Sequence, residues 1–64
     1  MKYAVLNDRE FARILKKNGY VIARHAGDHT IWYNEEHKDS ITVNKNLNPM
    51  VMRRLIKNHN LTIN

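Results

Sequence analysis

The dipeptide Gly27-Asp28 lies between two extended runs, Tyr20 to Ala26 and Thr30 to Tyr33, and so short a break turns the chain back on itself. Gly27 supplies a backbone free to take positive φ, and Asp28 a side chain suited to turns. The flanking runs are rich in β-branched and aromatic residues, so the stretch through Tyr33 reads as strand, turn and strand, with His29 just beyond the turn. Neighbouring side chains on a strand point to opposite faces, so Ile31 and Trp32 cannot both lie under one covering layer. One of them must leave the helix-packed face, either exposed to solvent or covered by a partner or a second layer.

A helical pattern flanks this hairpin on each side. Asn7 reads as an N-cap, with Glu10 three positions on completing a capping box. At about 100° per residue, Phe11, Ile14 and Leu15 share a narrow face, and Arg9, Arg13, Lys16 and Lys17 lie opposite. Gly19 ends that helix. The second helix opens at Asn48-Pro49, with proline at the first position, where its missing N–H costs nothing. Its apolar arc is Val51, Met52, Leu55 and Ile56, its polar side Arg53, Arg54 and Lys57, and Asn60 ends it. His59 falls within the apolar arc as a partly buried structural histidine.

Between hairpin and second helix, Asn34 to Asp39 is polar and charged and reads as a loop in which His37 is solvated. Ser40 to Val43 returns to alternation, with Ile41 and Val43 on one face, and makes a third strand; Asn44 to Asn48 connects it onward. The expected fold is α+β: a single domain over residues 1–64, in the order α-β-β-β-α, with a three-stranded antiparallel sheet and both helices on one face.

A chain of 64 residues buries only about 60% of the surface it exposes when unfolded, which leaves no room for a deep cofactor cleft. The absence of cysteine rules out a disulfide framework and a thiolate zinc site, and it suits a reducing compartment, so the cytoplasm is the expected location. Met1 to Leu6 holds a short apolar patch, too short for a secretory segment or a membrane span. Asn60-Leu61-Thr62 fits a glycosylation sequon, but without a secretory signal the match is coincidental.

Eleven Lys and Arg against six Asp and Glu give a formal charge of +5, which favours a polyanion or an acidic protein as partner. Glu35, Glu36 and Asp39 gather three of the six acids in one loop, so the basic field lies elsewhere. No HExxH or His/Cys ligand spacing appears, and the one loose grouping of His25, Asp28 and His29 around the turn is too weak to assign a metal. Nucleophilic catalysis lacks a cysteine, Ser40 is the only serine, and Glu35 and Glu36 are loop neighbours rather than a positioned acid and base. What remains is proton transfer by one histidine on a cationic surface. Imidazole exchanges protons near neutral pH, and Arg or Lys stabilises charge developing on phosphorus. That chemistry suits RNA, whose 2′-OH is an internal nucleophile needing only deprotonation.

Gly19-Tyr20, Arg24, Gly27-Asp28-His29, Ile31-Trp32 and Ile41-Thr42-Val43 together resemble the HicA family of bacterial toxins, whose pattern is Gly-aromatic, Arg, Gly-Ser-His, an apolar strand and Ile-x-Val. The resemblance spans most of the chain. It implies a double-stranded-RNA-binding-like fold, metal-independent cleavage of mRNA by the motif histidine, and neutralisation by a HicB-type antitoxin protein. Carried onto this chain, the catalytic histidine is His29, and the motif glycine and arginine are Gly27 and Arg24. Position 28 is Asp where the family more often has Ser, which sets a carboxylate beside His29. Asn44-Lys45-Asn46 stands where many members have Pro-x-His.

The function expected is therefore that of a toxin of a type II toxin-antitoxin system, an endoribonuclease needing no metal or small-molecule cofactor and no membrane. Arg24, Lys45, Arg53 and Arg54 are the expected RNA contacts, and Gly27 and Asp28 support the motif. Two non-catalytic alternatives use the same charge: a double-stranded-RNA-binding module that reads shape, and an adaptor whose basic face binds an acidic protein.

Overall fold

The computed structural model describes residues 6–63, so the apolar patch read at Met1 to Leu6 lies, apart from Leu6 itself, outside the described residues. The chain forms α1 (Asp8–Lys17), β1 (Val21–Ala26), β2 (His29–Asn34), β3 (Asp39–Asn44) and α2 (Pro49–Asn58). The α-β-β-β-α order matches the pattern read from the sequence.

Both helices are capped by residues that cannot continue them. Asn7 Oδ1 accepts the Glu10 N–H at 2.9 Å, while the Glu10 carboxylate turns to Arg13 at 3.5 Å, so only the asparagine half of the capping box forms. At the other end Gly19 takes φ +90°, its N–H reaching Lys16 O at 3.1 Å and the Tyr20 N–H reaching Leu15 O at 3.0 Å. This paired closure is a Schellman motif, and α2 repeats it with Asn60 in the left-handed position at φ +54°. Asn48 Oδ1 caps the start of α2 by accepting the Met50 N–H at 2.7 Å, with Pro49 first in the helix.

The sheet is antiparallel in the order β1-β2-β3. Ala26 pairs with His29 across Gly27-Asp28, and Gly27 alone of the two has positive φ, at +61°, the pattern of a type II′ turn. A Cβ added at Gly27 would meet nothing within 4 Å, so conformation and not space demands glycine there.

Trp32 pairs with Ile41, and both are buried with Phe11, Ile14 and Leu15 of α1 and Met52 and Ile56 of α2 in one cluster. Both helices therefore cover the same face of the sheet. Trp32, 4% exposed, takes the covered position, and Ile31 is left half-buried on the opposite face.

The structure corrects the loop read at Asn34 to Asp39: those two residues pair with each other as the ends of β2 and β3, and only residues 35–38 turn. Asn34 is 2% exposed. Its Nδ2 donates to Asn18 O at 3.0 Å and its Oδ1 accepts the His37 N–H at 3.0 Å, so a buried amide closes the C-terminal end of α1 against the turn. β2 and β3 likewise reach one residue further at their other ends, to His29 and Asn44. No described helix is long and apolar enough to cross a membrane.

Candidate functional site

The face of the sheet that neither helix covers carries three cross-strand rows. Ala26, His29 and Asn44 form the row beside the turn, Arg24, Ile31 and Thr42 the middle row, and Val21, Tyr33 and Ser40 the third. The tight turn fixes the first row by pairing Ala26 with His29, which puts His29 at the head of β2 with its side chain exposed. Arg24 stands in the adjacent row, diagonal to His29, and diagonal neighbours lie about 7–8 Å apart, within reach of a long side chain.

This arrangement depends on an irregularity in β1. The register shifts between Ile22 and Arg24, so Ala23 is the extra residue of a β-bulge. Because of it, Ile22 shares the covered face with Trp32 while Arg24 shares the open face with His29 and Val21. Without an inserted residue, positions 22 and 24 would face the same way. Simple alternation therefore misreads β1, and a sequence with no charge or glycine at position 23 carries no sign of the bulge.

The other expected residues are distributed differently. Lys45 follows β3, its N–H donating to Asp28 O at 2.8 Å, and so flanks the His29 row at the turn end of the sheet. Asp28 is exposed, and no hydrogen bond joins its side chain to His29. Arg53 and Arg54 are exposed on α2, beyond the covered face, so the structure does not bring them together with His29 and Arg24. His25 pairs with Thr30 on the covered side, its Nδ1 3.2 Å from Thr30 Oγ1, and thus lies on the opposite face from His29. The loose grouping of His25, Asp28 and His29 does not converge, and among the described residues no group of three or more His, Cys, Asp or Glu is placed to hold a metal.

On the covered side, at the same end of the molecule, a groove of about 300 Å³ opens between α1 and the sheet. Phe11, Ala12, Ile22, Trp32 and Val43 contribute its apolar part. Asp8, His25, Asp28, Asn44 and Lys45 supply polar groups around it.

At the far end of the sheet lies a polar cluster that sequence reasoning missed. Asp39 Oδ2 accepts the Tyr20 hydroxyl at 2.5 Å and faces His59 Nδ1 at 2.6 Å. His59, expected within the apolar arc, is the C-cap of α2, and through Asp39 it ties that helix to β3 and to the junction of α1 with β1. The Tyr20 hydroxyl is pushed up to about 12, first by burial and then by its bond to Asp39. The Asp39 carboxyl is held below its ordinary value, chiefly by the Tyr20 hydrogen bond. Periodicity cannot pair residues 19 and 20 positions apart, so no signal in the chain announced this cluster.

What the open face offers chemically is an exposed imidazole, a guanidinium in the next row whose fork fits phosphate oxygens, and the exposed part of Tyr33 and Ile31 alongside. A family model described as HicA toxin of bacterial toxin-antitoxin systems matches residues 9–61 of the 64-residue chain. No curated protein and no solved structure is matched by the chain.

Proposed function

The chain belongs to the family of HicA toxins of bacterial toxin-antitoxin systems, and on that premise we propose that it is an endoribonuclease that cuts mRNA, arrests translation and uses His29 for proton transfer. The observation that carries this reading is the convergence of His29 and Arg24 on the uncovered face of the sheet.

In the proposed reaction His29 takes the proton of a ribose 2′-OH as the 2′-oxygen forms a bond to the adjacent phosphorus. The bond from phosphorus to the 5′-oxygen breaks, and that oxygen takes a proton from the imidazolium or from water. Arg24 offsets the negative charge that builds on the equatorial oxygens. The nucleophile belongs to the substrate, so the step asks for no metal or cofactor. Gly27 and Asp28 hold the turn that sets His29 in its row, and Lys45 adds a phosphate contact beside it. Arg53 and Arg54 serve RNA that extends past the sheet toward α2. A HicB-type antitoxin protein would neutralise the toxin by covering the open face, and the cytoplasm, where mRNA is met, is the working location.

The products identify the chemistry. Incubation of the purified chain with an unstructured RNA should leave 2′,3′-cyclic phosphate and 5′-hydroxyl ends, read by mass spectrometry. Ends bearing 3′-hydroxyl and 5′-phosphate would mean that water attacked and would overturn the mechanism. A chain that binds several RNAs and cuts none would favour the double-stranded-RNA-binding or protein-binding module.

A further inference from the structure

The aromatic side chains divide between the two faces of the sheet. Phe11, Tyr20 and Trp32 are buried, at 1%, 4% and 4% exposure, and the Tyr20 hydroxyl is bonded to Asp39. Tyr33 alone among the described aromatics is only half-buried, and its hydroxyl makes no hydrogen bond to a described residue. It lies on the face that no helix covers, between Val21, itself 62% exposed, and the small Ser40. Along β2 it follows His29 and Ile31 on that face, and Arg24 stands in the row between His29 and Tyr33. A rise of about 3.3 Å per residue sets Tyr33 roughly 13 Å from His29 along the strand, a span that an extended RNA chain crosses in a few nucleotides. The three rows of this face contain no Asp or Glu, while Arg24 and His29 are exposed on it and Lys45 flanks the His29 row. Such a face favours an anion, with cations at one end to hold phosphates and a ring at the other to hold a base.

We propose that Tyr33 is a stacking platform for an unpaired base of an RNA strand laid along β2, so that the substrate held on this face is single-stranded. The base packs on the phenol ring, with Val21 and Ile31 extending the apolar contact beside it, and a phosphate between that base and His29 meets the Arg24 guanidinium. A duplex keeps its bases stacked on one another and offers the ring no face. Every base has a π-face, so the platform holds the strand in place without selecting its sequence. The proposal rests on the ribonuclease reading only for the position of the cut at His29; the platform itself rests on the exposure, charge and register of the open face.

The intact chain would be titrated into a short 2′-O-methyl RNA carrying 2-aminopurine, a base whose emission is quenched when it stacks, with affinity read by anisotropy of an end label. This probe has no free 2′-OH, so binding is measured without cleavage. Saturable quenching is expected with the single strand, and much weaker binding once a complementary strand is annealed. Tyr33→Val, which keeps a β-former in the strand, should remove the quenching and weaken binding roughly 5- to 150-fold, the loss of one base stack, while Tyr33→Phe should keep both. The slope of affinity against salt should be the same in Tyr33→Val as in wild type, because the ring meets no phosphate, whereas Arg24→Gln should lower it by about 1. Circular dichroism checks the fold of each variant, and the wild-type quenching and single-strand preference test the proposal even where Tyr33→Val fails to fold. Unchanged affinity in Tyr33→Val, no quenching with wild type, or duplex bound as tightly as single strand would overturn the platform. A chain that binds through Tyr33 yet cuts none of the same RNA with free 2′-OH groups would sink the ribonuclease reading and leave the platform standing; one that cuts that RNA but quenches no probe would do the reverse.

Discussion

Asp39 holds two partners on a single carboxylate oxygen, Tyr20 from one side and His59 from the other, and that shared oxygen makes the stability of the fold depend on pH at both extremes. The carboxyl is held below its ordinary 3.8, so the stabilisation is present above that value and lost as pH falls through the lower folded-state value. Tyr20 acts in the opposite sense: its hydroxyl is raised from 10.0 to about 12, so its share is complete below pH 10 and disappears as pH rises toward 12. Urea melts recorded across pH should show both limbs. Asp39→Ala should flatten the acid limb and cost about 1–3 kcal/mol at neutral pH, because it leaves the Tyr20 hydroxyl and His59 without their acceptor. At this scale the sequence was least legible. Asn34 and Asp39 are polar residues that read as loop, yet each ends a strand and turns its side chain to partners distant in the chain. Local composition registers polarity but not the partner that satisfies it.

The helices and the turn were legible because each is specified by residues close in sequence. Asn7, Gly19, Asn48-Pro49 and Asn60 mark the helix ends, and the spacing of Phe11, Ile14, Leu15, Met52 and Ile56 marks the buried faces. Phe11 is 1% exposed at the centre of the shared cluster, so Phe11→Ala should cost about 3–5 kcal/mol, measured by chemical denaturation, a large share of the stability of a domain this small. Strand β1 was the element whose faces could not be read. The bulge at Ala23 breaks its alternation, and a bulge is fixed by two demands that meet only in the fold. The turn places Arg24 opposite Ile31, while Ile22 pairs with Trp32.

The folded chain is a slab of about 29 × 26 × 17 Å, with the helices on one side of the sheet and His29 and Arg24 on the other. The net charge of +5 is therefore spread over two faces. The local turn motif put His29 just beyond the turn, and the family resemblance marked it as the catalytic candidate; charge counts, which carry no direction, grouped Arg53 and Arg54 with it. RNA affinity should fall steeply with salt, with a slope in log K against log salt of about 3 to 4 for 4 to 5 phosphate contacts on a single strand. Titrations at several salt concentrations would measure it, and a flat response would point to a mainly apolar partner. Such a slope tests the cationic surface and not the chemistry. The direct test compares wild type with His29→Ala for both cleavage and binding of one unstructured RNA, with and without EDTA. The variant should keep the fold and RNA affinity within a few-fold, since phosphate contacts come from Arg and Lys, while cleavage drops about 10²- to 10⁴-fold and chelator changes neither protein. Equal cleavage rates for the two proteins would contradict the assignment of His29.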